Sequence, residues 1–573
     1  MVFKKLKRQL AFSLSLCMML PLCACSGYTP NTTQAPTSTT NPPLSEEAQT
    51  TAAATTIPAT DAPVPVPNAP SFVLNVSGSA YETSANLTTV KVSSDVVNTV
   101  KKELFGDNIS WRGEGYGIYN KDTDSFNTKL VEMIKKAGIT TLRYPGGIEG
   151  DYLIWHQTIG ENRTPQIDPF SKDYPTYAST NGVKYYPYFG WEEFMRLCIE
   201  SETEAVVQLN AGTGTAKEAA DLVKWCIDNG YPVSSYAIGN EVNFAEERVA
   251  GVRSTKTPEE YIEFANDVYA ELGAIADDIE LGVLGLPYGH ALCRDAAWDR
   301  KILKALGDKI DFIDCHLAYA PYFTSASDSD TDIYKCYMAA STYIRNMIER
   351  EKNNISTYTD REDEIKIQVT EYGPMGTYYN GTVGAVFLAS LLQVMANEPM
   401  ISSANHLPMI NHPAAANLIG YDPQNGREYY WDNVCTYIFR WYSEQSGRDV
   451  LSVNAETPTF SSKAVGLIPA VTKADMSSTA VYYDSETGSG TVFVINQSVD
   501  ENMVFNIELP FGNIRITDLH ELYSANPKQA NSGVNPFRTM PREISHDDSV
   551  YNGTITLTSK PISVVRIDFE VVN

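Results

Sequence analysis

The feature that most constrains this chain is an alternation. Eight short apolar runs recur, and most are separated by a stretch long enough for a helix. They are Leu104–Ile109, Thr140–Tyr144, Ala205–Leu209, Ser235–Ile238, Leu281–Leu284, Phe312–His316, Ile365–Thr370 and Ile401–His406. Runs of this length suit buried strands. Antiparallel neighbours can be joined by a tight turn, whereas parallel neighbours need a long crossover, usually a helix. The spacing therefore predicts parallel strands, and eight of them predict a closed (β/α)₈ barrel. An open doubly wound sheet is the competing layout, but the nucleotide-binding patterns GxGxxG and GxxxxGK[ST] do not occur.

Local signals agree with the intervening helices. Thr215 and Glu218 form a capping-box pattern, followed by one apolar face at Ala219, Leu222, Val223, Cys226 and Ile227, with Gly230 as the stop. Thr257-Pro258-Glu259-Glu260 repeats the pattern with proline at the first helical position. Further helices are expected near Asn127–Lys136, Ala296–Leu306, Asp332–Arg350 and Val383–Ala396.

The barrel is expected over residues 101–435. Beyond it, strand-like runs bounded by turn residues predict a C-terminal β-sandwich over 436–573. The β-rich segment 71–100 is a candidate to join that sandwich. Residues 25–70 are Thr, Pro, Ala and Ser with almost no large apolar side chain, a composition that cannot bury a core and predicts a disordered tether.

Residues 1–24 read as a signal peptide. Lys4, Lys5, Lys7 and Arg8 precede an apolar run, Leu10–Leu22, that is too short to span a bilayer. The run ends in Leu22-Cys23-Ala24-Cys25, which resembles the bacterial lipoprotein signal and implies Cys25 as the lipidated residue. An extracellular, lipid-anchored or secreted protein is the resulting expectation, touching the membrane only through that anchor. The six remaining cysteines are scattered without metal-ligand spacing, and buried thiols are their expected state. The net charge of −26 repels phosphate backbones and argues against nucleic acid as a partner. Seven histidines without paired spacing give no reason to expect a catalytic metal, and no cofactor is implied.

In such a barrel the chemistry sits at the C-terminal ends of the strands. The fourth run leads into Gly239-Asn240-Glu241, and the seventh ends at Thr370-Glu371-Tyr372. Two carboxylates across one barrel mouth suit glycosidic cleavage: one protonates the leaving oxygen, and the other attacks the anomeric carbon or activates water. Glu371 must be ionised to attack, and Arg143 is a candidate cation for it. Asn240 is placed to hydrogen-bond a sugar 2-hydroxyl. Trp155 is a candidate for stacking on a sugar or for core packing, and His316 for orienting a carboxylate or for a structural role.

These motifs resemble the retaining clan A glycoside hydrolases, in which the first Glu is acid/base and the second is nucleophile. The likeness extends towards the family 51 α-L-arabinofuranosidases. It is carried by Arg143-Tyr144-Pro145-Gly146-Gly147, by Gly150-Asp151-Tyr152-Leu153-Ile154-Trp155, and by Asn210-Ala211-Gly212-Thr213-Gly214-Thr215. The resemblance implies hydrolysis of plant-type polysaccharide or oligosaccharide through a covalent glycosyl-enzyme, with release of α-L-arabinofuranosyl groups. Departures concern the sugar. Ile148 replaces the family's Asn, Thr370-Glu371-Tyr372 replaces an Asp-Glu-Trp context, and Glu114 is the candidate for the Glu near the first strand that contacts arabinofuranose. A clan A glucanase, xylanase or glucuronidase is one alternative. A surface glycan-binding lipoprotein without catalysis is another, although a pure binder has no need for the pair Glu241 and Glu371.

Overall fold

The computed structural model describes residues 69–75, 86–169, 184–244, 248–249, 252–285, 293, 295–321, 324–410, 417–424, 427–466 and 468–572. The expected signal peptide, Cys25 and all of the expected tether except residues 69 and 70 lie outside them.

Eight parallel strands close into a barrel in sequential order: β1 (Gly106–Asn108), β2 (Thr141–Tyr144), β3 (Glu204–Leu209), β4 (Val233–Ile238), β5 (Leu281–Leu284), β6 (Phe312–Pro321), β7 (Lys366–Met375) and β8 (Ile401–His406). Closure is made by β8 pairing with β1, Asn405 and His406 lying opposite Gly106 and Asp107. One helix follows each strand: α1 (Thr128–Ala137), α2 (Trp191–Ser201), α3 (Ala216–Asp228), α4 (Pro258–Leu272), α5 (Trp298–Leu306), α6 (Asp330–Tyr358), α7 (Thr382–Ala396) and α8 (Val434–Ser443). The anticipated caps are present, with Thr215 and Thr257 each accepting from the backbone N–H three residues on and Pro258 opening α4.

The structure adjusts several of these elements. Lys102–Phe105 is a 3₁₀ turn, so Leu104 and Phe105 enter the core ahead of β1 rather than within it. β6 and β7 run past their expected ends, carrying His316 and Glu371 inside strand pairing. α8 crosses residue 435, so helix continues beyond the expected change of pattern.

The second layer is one long hydrogen-bonded strand path. Leu87–Thr99 lies within it, antiparallel to Asp449–Glu456 and parallel to Met503–Glu508. The path curls into a sandwich around its own core, including Val90, Leu451, Val492, Phe505, Ile516, Leu557, Ile567 and Phe569. α7 shows how the layers are fused. Every residue from Thr382 to Ala396 is buried, because the helix is apolar on all sides and lies among neighbours on all sides. Tyr442 of α8 stacks on Phe493 of the sandwich with ring centroids 4.3 Å apart, and Gln393 Nε2 donates to the Tyr442 hydroxyl at 2.9 Å. Burial of one such aromatic contributes about 1.5–3 kcal/mol, which favours a fixed rather than a hinged joint. Cys198, Cys226, Cys315, Cys336 and Cys435 are buried thiols.

Candidate active site

The floor of the site is a polar layer that the barrel strands build together. Arg143 on β2 is fully buried and acts as its hub. Its Nη1 donates to Glu371 Oε1 at 2.7 Å and to Asn108 Oδ1 at 3.0 Å, while Nη2 donates to Asn240 Oδ1 at 2.7 Å. Asn108 in turn donates through Nδ2 to the carbonyl of Thr370 at 2.9 Å. A buried guanidinium needs acceptors of this kind, since an unpaired charge there would cost several kcal/mol; both Nη atoms are engaged, while Nε makes no hydrogen bond. The result fixes Glu371 and Asn240 relative to one another.

Glu371 sits on β7 opposite His316 of β6, where a register shift turns both side chains into the mouth. His316 Nδ1 lies 2.9 Å from Glu241 Oε1 and 3.6 Å from Glu371 Oε2. One ligating atom from each of Glu241, His316 and Glu371 falls within 4.8 Å of the others. Glu241 arrives by a tight exit from β4, with Gly239 at φ 92° and Glu241 itself at φ 42°. A left-handed conformation in a residue with a Cβ costs roughly 1–2 kcal/mol, and strain of this kind persists where surrounding contacts dictate it. Here the hydrogen bond to His316 is one such contact.

Electrostatics separate the two carboxyl groups. Burial, reinforced by the charge of Glu371, holds the Glu241 pKa above the ordinary carboxylate range, although His316 and Arg143 pull the other way. Burial opposes charge on the His316 imidazole, yet Glu371, Glu241 and Asp314 together hold its pKa above the usual histidine value. Glu371 has a guanidinium at 2.7 Å, so its anion is directly compensated. The result is one carboxyl biased to keep its proton beside one matched to a cation. The same trio could in principle ligate a metal ion, but Arg143 already supplies positive charge at Glu371, and a second cation there would be repelled.

The other anticipated residues divide. Asn240 joins the pair, with Nδ2 buried and making no hydrogen bond within the protein. Trp155 packs on Trp225 of α3 at 5.6 Å between ring centroids, a core contact. Glu114 does not join the carboxylates. Its backbone is left-handed, and its side chain pairs with Lys121 at 3.0 Å in a surface groove shared with Tyr421 and Glu428. The structure thus does not bring Glu114, the expected sugar contact, to the carboxylate pair; its side chain is paired with Lys121. Sequence reasoning also missed Glu149, a buried carboxyl in the turn after β2. Its signal was an acidic residue two positions after the Pro145-Gly146-Gly147 turn, beside Ile148 at the C-terminal end of β2.

The chain is similar to several known proteins. The profile described as alpha-L-arabinofuranosidase 1 domain matches residues 133–271. An intracellular exo-α-(1→5)-L-arabinofuranosidase of Streptomyces lividans is 22% identical over 516 residues, 82% of this chain and 73% of that one. An exo-α-(1→6)-L-arabinofuranosidase of Bifidobacterium longum is 23% identical over 527 residues, 82% and 94% of the two chains. The crystal structure of an α-L-arabinofuranosidase from Thermotoga maritima in complex with arabinose superposes with a TM-score of 0.71 at 19% identity, covering 84% of this chain and 100% of that one. That likeness establishes the barrel-plus-sandwich fold. The names also correct the expected location. The Streptomyces protein and relatives from Bifidobacterium longum, Acetivibrio thermocellus and Bacillus subtilis are all named intracellular, which overturns the placement on an extracellular membrane face.

Proposed function

We propose that this chain is a retaining glycoside hydrolase that releases α-L-arabinofuranosyl groups from oligosaccharide or polysaccharide, as the names of its relatives describe for those proteins. The observation that carries the mechanism is the proximity of the two strand-end carboxylates, with oxygen atoms of Glu241 and Glu371 within 4.8 Å. Retaining enzymes place their carboxyl groups about 5–5.5 Å apart, whereas inverting enzymes leave about 6.5–9.5 Å for an intervening water.

The steps follow from the environment of each group. Glu371, ionised and held by Arg143, attacks the anomeric carbon as the glycosidic bond breaks. Glu241 gives its proton to the departing oxygen, a role suited to its raised pKa. The resulting glycosyl-enzyme ester is hydrolysed when the Glu241 carboxylate takes a proton from water, which attacks the same carbon and releases Glu371. Each cycle inverts the anomeric centre twice and restores both protonation states. His316 steadies Glu241 in both states, since Nδ1 reaches Oε1 at 2.9 Å. Asn240, with Oδ1 bound to Arg143 and Nδ2 unspent, is oriented to donate to the sugar 2-hydroxyl.

The test is release of nitrophenol from 4-nitrophenyl α-L-arabinofuranoside by the purified protein and by Glu371→Ala, beside a panel of other aryl glycosides. Turnover of the arabinofuranoside that disappears in the variant is expected. Turnover confined to other sugars would retain the mechanism and reject the substrate, and silence throughout would reject hydrolysis of aryl glycosides.

A further inference from the structure

The catalytic mouth contains a third carboxyl group. Glu149 is 4% exposed and sits in the 3₁₀ turn Ile148–Tyr152 that follows β2. A Cβ built on Gly147 would lie 3.2 Å from Glu149 Oε2 and 3.8 Å from Glu371 Oε1, so both carboxylates reach over the same glycine. Gly147 has φ 106°, a conformation open to glycine, and the absent side chain leaves that space clear. The placement is rigid. Gly147 N–H donates to Gln208 Oε1 at 3.2 Å, Gln208 Nε2 returns a bond to the Gly147 carbonyl at 3.0 Å, and Gly150 N–H caps the same carbonyl at 3.0 Å. Ser110, just beyond the end of β1, donates to Glu149 Oε1 at 2.6 Å, which fixes the carboxyl plane.

Resting on the hydrolase reading above, we propose that Glu149 is a substrate-binding residue that holds a hydroxyl group of the sugar whose anomeric carbon faces Glu371. Its Oε1 is engaged by Ser110, and its Oε2 is directed over Gly147 towards the nucleophile. A buried carboxyl group beside the reacting centre is costly unless it is used, and its natural partner is a hydroxyl donor that arrives with the ligand. Burial raises the Glu149 pKa to about 7, while Arg112 and hydrogen bonds from Ser110 and from its own backbone N–H pull it down and the Asp168 carboxylate pushes it up. A glycone bearing its own carboxylate would meet Glu149 and Glu371 together, so the site selects a neutral, hydroxyl-rich sugar. Glu149 thus supplies a sugar-binding carboxyl from the turn after β2, where Glu114 is engaged by Lys121.

The test compares wild type with Glu149→Gln on the aryl α-L-arabinofuranoside and on analogues lacking the 2-, 3- or 5-hydroxyl one at a time. The expected result is a loss of at least tenfold in kcat/KM on the full sugar. That loss should shrink to about twofold on the one analogue that lacks the contacted hydroxyl and persist on the others. Glu149→Asp, which keeps the carboxyl group and shortens the reach, carries the same comparison if the glutamine variant does not fold. A variant within twofold of wild type on the full sugar, or an equal loss on every analogue, would overturn the assignment and leave Glu149 a structural residue. A wild type inactive on the whole glycoside panel would instead overturn the hydrolase reading, and this inference with it.

Discussion

Removing the acid/base carboxyl should hurt the enzyme in proportion to how badly the leaving group needs a proton. In Glu241→Ala the proton donor at the mouth is lost, while Arg143, Glu371 and Asn240 keep their mutual hydrogen bonds, none of which passes through Glu241. General acid catalysis contributes roughly 10²–10⁴-fold, or about 3–5 kcal/mol of barrier at about 1.4 kcal/mol per decade. That loss should appear in kcat/KM for an arabino-oligosaccharide, whose alkoxide is a poor leaving group. It should nearly vanish for a 2,4-dinitrophenyl arabinofuranoside, whose leaving group needs no proton. For the activated substrate the slow step becomes hydrolysis of the glycosyl-enzyme, and azide, which needs no base, should restore turnover and give an azide of retained configuration. Loss of Glu241 also strips His316 Nδ1 of its 2.9 Å partner, at a stability cost of about 1–3 kcal/mol. The assay is initial-rate kinetics on both substrates beside a thermal melt. Equal losses on the two substrates, with no rescue by azide, would refute the acid/base role of Glu241.

Three further outcomes follow from the same structure. Because Glu241 must be protonated to act and its pKa is raised, kcat/KM should fall as pH rises through that pKa, on a limb lying above the ordinary carboxylate range and missing in Glu241→Gln; this is read from a pH–rate profile. Arg143→Ala leaves the buried Glu371 charge without its partner, so melting should report a loss of about 3–5 kcal/mol, with activity lost as well. Burial raises the Asp107 pKa to about 6, against an ordinary value of 3.8. Its contribution to stability is then full below pH 3.8 and is lost as pH rises through 6; denaturant titrations across that window should show a fall of about 3 kcal/mol that is absent in Asp107→Asn.

The parts legible in the sequence were those set by short-range rules. Strand runs of buried length, the Thr215 and Thr257 caps and the Pro258 start depend on neighbours a few residues away, and the structure places them where the pattern does. Glu241 and Glu371 were legible because each lies at the C-terminal side of an apolar strand run, Glu241 just past β4 and Glu371 directly after Ile365–Thr370, where the barrel opens. Glu114 and Glu149 depend on which way a loop turns. Lys121, seven residues further on, decides the first, and the Gly147–Gln208 clasp, reaching across to β3, decides the second. No local pattern encodes either contact. Trp155 was ambiguous for a related reason, since its partner Trp225 lies on a different helix.

The most direct measurement is the configuration of the first product, followed by proton NMR while the enzyme cleaves an aryl α-L-arabinofuranoside in the presence of methanol. Double displacement through Glu371 predicts methyl α-L-arabinofuranoside, with the anomeric configuration retained. A β-configured product would mean a single displacement by solvent, and would contradict the assignment of Glu371 as a nucleophile.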